Sequence, residues 1–172
     1  MAASDAPSQR DALQEAFREV MSSVCTPVSV VTAMSGDLPH GTTVSAFSSL
    51  SMNPPMVIVS LDLGSELLAV VRQTGCFGLN VLGSGQSALA RTFARKGGAA
   101  KFAEVPWEIE AGVPRIPGAG GFLVCSVARL IPGGDHIIVL GDVLDARAAH
   151  GQPLTYHARV FGTHVALEGQ LA

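Results

Sequence analysis

The sequence predicts a mainly β fold, an antiparallel β-barrel with attached helices. About seven strand candidates cluster in hairpins towards the two ends of the chain, with about three helices before and between them. Strands and helices do not alternate regularly, which argues against a doubly wound parallel sheet. The length of 172 residues suits one domain, which we expect to span 9–165 between an N-terminal tail at 1–8 and a C-terminal tail at 166–172.

Local patterns predict the elements in chain order. Apolar residues at helical spacing predict an N-terminal amphipathic helix over 9–22. β-Branched and apolar runs bounded by turn residues predict strands at 28–33, 42–50, 56–61, 77–82, 122–131, 135–147 and 154–165. Two helices are predicted between strands, one over 65–74 with Ser65 as its N-cap and one from Ser84 to Gly97-Gly98. The Pro- and Gly-rich stretch 103–121 is interpreted as a loop.

The composition excludes several classes of protein. Hydrophobic residues make up 48% of the chain and charged residues only 15%, which excludes a disordered chain. A net charge of −3 argues against binding to nucleic acid or to an anionic membrane. Neither a signal peptide nor a membrane-spanning apolar run is visible, so we expect a cytoplasmic protein. So few charges also predict apolar surface buried at a subunit interface.

The cysteines predict neither a metal site nor a disulfide framework. Cys25, Cys76 and Cys125 are widely spaced and form no CxxC pair, so we expect no bound metal. An odd number of unpaired cysteines suits a reducing compartment. Because a free cysteine behaves as a small hydrophobic residue, we expect all three to be buried.

A segment rich in hydroxyl groups is the first candidate for chemistry. Six of the twelve residues in 40–51 carry hydroxyls, and none of the twelve is acidic. Strand alternation places Thr43 and Ser45 on one face and Thr42 and Val44 on the other. Such a row can bind a neutral polar ring or a polyol through many modest hydrogen bonds. The alternative is a polar strand face in water.

Basic residues are concentrated in one short segment. Residues 91–101 contain four of the eleven basic residues and no acid, so the rest of the chain carries −7. This local charge indicates a site for phosphate or another compact anion. The alternative is an exposed helix end whose cations face the helix dipole.

His136 is the third candidate. It follows Gly133-Gly134-Asp135 and precedes an apolar strand, a setting in which it could bind a cofactor or carry a proton. The alternative is an ordinary hairpin residue. The motifs GxSxG, HExxH and a GxGxxG after a strand are absent, which argues against a serine hydrolase, a zinc protease and a Rossmann dinucleotide site.

At these residues the sequence resembles the short-chain flavin reductase family, the reductase components of two-component flavin-dependent monooxygenases. The resemblance covers about 15–162, and six pieces occur in the family's order: 27–32, 41–51 with Pro54-Pro55, 77–82, 89–94 with 101–102, 134–136, and 153–156 before Phe161. The stretches 93–96 and 134–138 are most similar to reductases of antibiotic-biosynthesis systems. Pro27 departs from the family, which commonly has Gly there.

The resemblance implies an FMN-binding split β-barrel that forms a homodimer. It also implies hydride transfer from NADH or NADPH to N5 of FMN or FAD, without a side chain acting as nucleophile, and delivery of reduced flavin to a partner monooxygenase. The alternative function is a non-catalytic flavin-binding protein or electron carrier on the same barrel.

The resemblance also assigns site residues by position. Around the flavin ring and ribityl chain it places Thr42, Thr43, Val44 and Ser45, and along the ribityl chain and phosphate it places Ser60, Leu61, Asp62 and Ser65. Arg95 and Lys101 would neutralise the phosphate. His136, Tyr156 and Arg159 would lie towards the nicotinamide nucleotide, with His136 as the catalytic candidate. The remaining cofactor contacts implied are Ser48, Asn80 and Phe102.

Overall fold

The computed structural model describes residues 9–167. The predicted N-terminal tail at 1–8 and residues 168–172 of the predicted C-terminal tail lie outside the described residues. The helices are α1 (Gln9–Ser22), α2 (Glu66–Thr74) and α3 (Ser87–Phe93), with 3-10 turns at Ser84–Gln86 and Gly98–Phe102. The strands are β1 (Thr26–Pro27), β2 (Ser29–Ser35), β3 (Leu38–Val44), β4 (Phe47–Met52), β5 (Pro55–Asp62), β6 (Cys76–Val81), β7 (Glu108–Glu110), β8 (Val113–Arg115), β9 (Gly121–Gly133), β10 (His136–Ala148), β11 (Thr155–His157) and β12 (Val160–Gly162).

Seven strands form one antiparallel sheet in the order β3-β2-β6-β9-β10-β5-β4. Although β3 and β4 lie at opposite ends of this order, only Ser45 and Ala46 connect them. Since three Cα–Cα steps reach at most about 11 Å, the sheet must curl until β4 lies near β3, although these two strands do not pair with each other. The result is a barrel that is split beside β3, which confirms the predicted mainly β barrel with attached helices.

Two apolar clusters hold the barrel together, and β2 contributes to both because both of its faces are buried. In the main core, Val31 of β2 packs with strand side chains against Leu67 and Leu68 of α2. In the second cluster, Val30 of β2 packs with Phe93 of α3. The second cluster therefore attaches α3 to the outside of the barrel next to β3.

A glycine allows this close approach. A Cβ atom on Gly41 of β3 would lie 2.9 Å from Phe93 Cε1 and 3.1 Å from Phe102 Cζ. The Thr43 hydroxyl then donates a hydrogen bond of 2.7 Å to the Ala90 carbonyl in α3. These contacts place the basic segment after α3 beside the hydroxyl-rich end of β3.

Four sequence-based boundaries need correction. The strand predicted over 42–50 is broken, because the chain crosses from β3 to β4 at Ser45-Ala46. The strand predicted over 154–165 is the hairpin β11–β12, whose turn residues Ala158 and Arg159 have positive φ angles of 48° and 64°. The loop predicted over 103–121 contains the hairpin β7–β8. The helix predicted from Ser84 to Gly97-Gly98 begins as a 3-10 turn, and α3 runs only from Ser87 to Phe93.

The cysteine prediction is wrong for one residue. Cys125 is buried and Cys76 is partly buried, but Cys25 is exposed because it lies in the connection between α1 and β1, outside both clusters. No helix within residues 9–167 is long and apolar enough to cross a membrane.

Candidate active site

The split side of the barrel opens into a cavity of 200 Å³, which we call the hydroxyl cavity. It lies between the end of β3 and the end of β5. The antiparallel register of β5 and β10 sets His136 opposite Asp62 and so brings the histidine to the same place. Nine residues predicted from the sequence line this cavity: Thr42, Thr43, Val44, Ser45, Ser60, Leu61, Asp62, Ser65 and His136.

Most hydroxyl groups of this cavity are free of protein partners. The Thr43 hydroxyl donates to the Ala90 carbonyl and keeps only its acceptor capacity. Within the described chain, the hydroxyls of Thr42, Ser45, Ser60 and Ser65 make no hydrogen bond to protein, including at Ser65, the N-cap position of α2. They therefore retain donors and acceptors for a neutral, polar ligand.

A second cavity of 500 Å³, the cationic cavity, adjoins the first. Its lining includes the basic residues Arg95, Lys96 and Lys101, the histidine His40 and the acids Asp62 and Glu66. The 3-10 turn Gly98–Phe102 and the preceding loop build one wall, where Gly97 and Gly98 adopt positive φ angles of 148° and 50°. The excess of cations makes this cavity suited to an anion.

Lys101 is held in this wall by hydrogen bonds from its side chain to nearby backbone carbonyl groups. Its ammonium group donates to the carbonyl oxygens of Phe93 at 3.3 Å and Arg95 at 3.1 Å. Burial lowers the pKa of Lys101 below 10.5, and the nearby charge of Glu66 opposes that change. One N–H of the ammonium remains for a ligand.

A third cavity of 630 Å³, the aromatic cavity, lies on the other face of β3. Tyr156 and Phe161 of the β11–β12 hairpin stand there with ring centroids 5.0 Å apart. The Arg91 guanidinium lies 5.0 Å from the Phe161 ring centroid, in cation–π geometry, and Arg159 lines the same cavity. Two cations beside two rings suit an aromatic ligand that carries negative charge.

The three cavities meet at the end of β3. Thr42 lines both the hydroxyl and the cationic cavity, while Thr43 and Ser45 line both the hydroxyl and the aromatic cavity. Strand alternation explains this division, because adjacent side chains point to opposite faces. Residues 42–45 therefore form the centre of one composite groove.

His136 is oriented by its neighbour. Its Nδ1 lies 2.7 Å from a carboxylate oxygen of Asp135, and this hydrogen bond lowers the pKa of Asp135. An ionised carboxylate can only accept, so Nδ1 carries the proton and Nε2 is left for a ligand.

Three predicted cofactor contacts line none of the three cavities. Asn80 is fully buried and uses its side chain in the core, donating to the Val30 carbonyl and accepting from the Ile116 N–H. Phe102 is buried in the second cluster, where it supports the cavity wall from behind. Ser48 lies on the exposed edge strand β4 and donates to the Ser49 carbonyl, beyond the turn at Ser45-Ala46.

Several lining residues received no role from the sequence. His40 precedes Thr42 by two positions, so alternation along β3 could have placed it on the same face. Arg91 belongs to the basic segment and Phe161 to the family-like pieces, yet neither was singled out. Glu66 and Gly98 come together only through folding, so no local sequence pattern indicates that they line one cavity. Within residues 9–167, no cluster of three His, Cys, Asp or Glu side chains could hold a metal ion.

Known proteins are similar to this chain in both sequence and fold. The chain is 43% identical over 135 residues to an NADPH-flavin oxidoreductase of Streptomyces viridifaciens, covering 75% of this chain and 70% of the relative. It is 39% identical over 149 residues to the reductase component of a 4-nitrophenol 4-monooxygenase/4-nitrocatechol 2-monooxygenase of Rhodococcus opacus, covering 87% and 80%.

Among solved structures, the NADH:FAD oxidoreductase SgcE6 of Streptomyces globisporus, in complex with NAD and FAD fragments, superimposes with a TM-score of 0.84. The two sequences are 30% identical, and the match covers 97% of this chain and all of the other. The protein-family model described as flavin reductase like domain matches residues 21–164, which is most of the chain. The protein therefore belongs to the flavin reductase family.

Proposed function

We propose that this protein is an NAD(P)H:flavin oxidoreductase that supplies reduced flavin to a partner flavin-dependent monooxygenase. The observation that carries the proposal is the composite groove, in which a hydroxyl-lined cavity joins a cationic cavity on one side of β3 and an aromatic cavity on the other. This arrangement provides adjoining places for a neutral ring, a phosphate and a second nucleotide. The relatives include an NADPH-flavin oxidoreductase and a monooxygenase reductase component, which supports both parts of the proposal.

The hydroxyl cavity fits a flavin ring and its ribityl chain. The free hydroxyls of Thr42, Ser45 and Ser60 offer donors and acceptors, and Asp62 is fixed at the rim by the Gly64 N–H at 2.7 Å. When both cofactors are bound, the chemistry they supply is hydride transfer from the nicotinamide to N5 of the flavin. Around the ring and the ribityl chain, hydroxyls rather than cations provide the contacts, and such neutral contacts keep their contribution to affinity moderate, as release to an oxygenase requires.

The cationic cavity fits the flavin phosphate. Arg95 and Lys101 line it, and the remaining N–H of the Lys101 ammonium can donate to a phosphate oxygen. Lys96 adds an exposed charge at the same cavity.

The aromatic cavity fits the pyridine nucleotide. Tyr156 and Phe161 offer ring faces, and Arg91 and Arg159 offer charge to the diphosphate. His136 lies at the neighbouring cavity with Nδ1 bound to Asp135, so its Nε2 can hold the nucleotide against the flavin or exchange a proton.

A homodimer is part of this proposal. The helix α1 buries none of its residues in the chain, yet it presents an apolar stripe at helical spacing. The stripe includes Leu13, Phe17, Val20 and Met21, with exposed fractions of 70%, 63%, 63% and 46%. A second copy of the chain is the partner that would cover this stripe.

The proposed domain spans 9–165 and the proposed location is the cytoplasm. Three free cysteines without a disulfide support a reducing compartment.

A turnover assay tests the proposed function. The purified protein should oxidise NADH or NADPH in a reaction that depends on added FMN or FAD, measured as loss of the absorbance of the reduced nicotinamide. Flavin binding without flavin-dependent oxidation of either nucleotide would identify the alternative, a non-catalytic flavin carrier. Comparing both nucleotides and both flavins also gives the preferences of the enzyme.

A further inference from the structure

Glu66 brings a negative charge into a cavity that is otherwise suited to an anion. Its side chain lines the cationic cavity together with three cations and is exposed to solvent. Within residues 9–167 its carboxylate has neither a hydrogen bond nor an ion-pair partner. Asp62, the other acid of the lining, differs because it accepts a hydrogen bond from the Gly64 N–H. The charge of Glu66 is therefore left to act on a ligand of the cavity.

The fold places this carboxylate near Lys101 without joining the two groups. A Cβ atom on Gly98 would lie 2.7 Å from Glu66 Oε2 and 3.8 Å from Glu66 Cδ, so the carboxylate lies against the 3-10 turn that carries Lys101. The negative charge of Glu66 raises the pKa of Lys101 against the effect of burial, which shows that its field reaches the ammonium. In the described part of the chain the two side chains form no ion pair. The free N–H of the Lys101 ammonium therefore lies within the field of Glu66.

Helix stability accounts for only part of this position. Glu66 is the first residue of α2, where a negative charge interacts favourably with the helix dipole. That interaction exists whether or not the cationic cavity holds a ligand. The two roles can be separated, because the helix dipole changes the free energy of unfolding, whereas a charge in the cavity changes the affinity for an anion.

A flavin phosphate bound beside Lys101 would meet the charge of Glu66. A phosphate monoester carries about −1.5 to −2 charges at pH 7, and like charges repel. An ionised carboxylate has no proton to donate, so no hydrogen bond from Glu66 to a phosphate oxygen offsets the repulsion. Riboflavin lacks the phosphate and is not repelled. Glu66 should therefore oppose the binding of FMN and have no effect on riboflavin.

We propose that Glu66 is a specificity-determining residue that limits how strongly the cationic cavity holds the phosphate of a flavin. The proposal rests on the proposed function, in which this cavity receives the flavin phosphate. Arg95 and Lys101 supply the attraction, and Glu66 opposes part of it. The site can then select a phosphorylated flavin and still release it, as delivery to an oxygenase requires.

Quenching of flavin fluorescence by the protein, measured with FMN and with riboflavin, tests this role because the two flavins differ only in the phosphate. In Glu66→Gln, FMN binding should tighten about threefold to fivefold, the size of one exposed charge interaction, while riboflavin binding stays unchanged. Glu66→Asp keeps the charge and should stay close to the wild-type FMN-to-riboflavin ratio. Asp37→Asn is the matched control, because it makes the same change of net charge at an exposed turn outside the three cavities, and it should leave the ratio unchanged.

The outcomes separate this role from the proposed function on which it rests. An unchanged FMN-to-riboflavin ratio in Glu66→Gln overturns the role of Glu66, as does an equal rise of the ratio in Asp37→Asn. Weaker FMN binding in Glu66→Gln also overturns it, because the carboxylate would then be a favourable contact. If Glu66→Gln does not fold, Glu66→Ala, which places an uncharged strong helix former there, decides by the same ratio. The absence of any preference for FMN in both the wild type and Glu66→Gln overturns the phosphate assignment itself.

Discussion

Single side chains in the groove have their properties set by burial and by the backbone around them. Lys101 is the clearest case, because its ammonium is partly buried and donates to two carbonyl oxygens of the loop that follows α3. The ammonium group therefore holds the loop through its hydrogen bonds, and its positive charge also attracts phosphate. The pKa of Asp135 is also lowered, because its carboxylate accepts a hydrogen bond from His136. Here the change favours the charged form, whereas burial disfavours the charged form of Lys101.

Replacing Lys101 should reduce the recognition of phosphate. We expect Lys101→Met to weaken FMN binding by about tenfold or more and riboflavin binding little, because only FMN carries the charge that Lys101 attracts. Lys96→Met removes an equal charge from the same cavity, but from an exposed side chain, and should have the smaller effect. Equal effects of the two substitutions in fluorescence titrations would contradict the role given to Lys101.

The same residue predicts a pH dependence. Burial lowers the pKa of Lys101, so its positive charge is lost at a lower pH than 10.5, the value of an ordinary lysine. The preference for FMN over riboflavin should therefore be full at neutral pH and should fall as the pH rises towards 10.5. Lys101→Met should show no such fall over this alkaline range, and a parallel fall in the variant would contradict the assignment.

The three thiols should differ sharply in reactivity. Cys25 is exposed, whereas burial raises the pKa of Cys125 to about 12 and so keeps it a thiol near neutrality. A chromogenic disulfide reagent should modify Cys25 rapidly in the native protein and Cys125 only after unfolding. The rapid phase should disappear in Cys25→Ser, and its persistence in that variant would contradict the structure.

At the scale of elements, β3 organises the site. Its Gly41 allows α3 to approach, and its Thr43 bonds to α3. At its end Thr42 and Thr43 each line two of the three cavities. Packing between β3 and α3 therefore sets the width of the groove.

A methyl group at Gly41 should disturb both stability and binding. In Gly41→Ala the new Cβ would clash with the rings of Phe93 and Phe102, and overpacking of this kind costs about 1–3 kcal/mol. The thermal midpoint should fall and flavin affinity should weaken with it. Gly85→Ala adds the same methyl group where no atom lies within 4 Å, and a similar loss there would contradict this explanation.

The apolar stripe on α1 should hold two chains together. Phe17→Ser removes its largest exposed side chain and should shift the protein from dimer to monomer in sedimentation measurements. Arg18→Ser, on the neighbouring position of the same helix, removes only an exposed ion pair with Glu15 and should leave the dimer intact. A monomeric wild-type protein, or a dimer unaffected by Phe17→Ser, would contradict the proposed interface.

The sequence predicted elements well where hydrophobic periodicity is long and turns carry Gly or Pro. The predicted helix at 9–22 matches α1, and the strands at 122–131 and 135–147 match β9 and β10 within a few residues. The hairpin β11–β12 was missed because its turn is Ala158-Arg159, which lacks the usual Asn-Gly or Asp-Gly signal. The break at Ser45-Ala46 was missed because hydroxyl-rich residues continue through it.

At the scale of the molecule, curling of the sheet assembles the groove. It brings β3 next to β5, so that Thr42 and Ser60, far apart in the order of strands, line one cavity. Nine residues that the family resemblance assigns to the cofactors line this cavity together. The resemblance could not show that Asn80 is consumed by core hydrogen bonds or that His40 is left without a partner, because both depend on tertiary contacts.

The uneven distribution of charge along the chain corresponds to the position of the cationic cavity in the fold. The molecule carries a net charge of −3, yet three of the four cations of its basic segment, Arg95, Lys96 and Lys101, line the cationic cavity beside the hydroxyl-rich strand. The low charge of the chain agrees with the hydroxyl cavity, where five hydroxyl side chains accompany one acid, Asp62, and with the exposed apolar stripe of α1.

A crystal structure of the protein with bound FMN tests the central claim most directly. The account predicts the flavin ring between β3 and β5 in contact with residues 42–45, and the phosphate within hydrogen-bond distance of Lys101. A flavin found only elsewhere, such as in the aromatic cavity or with its phosphate away from the cationic cavity, would contradict it.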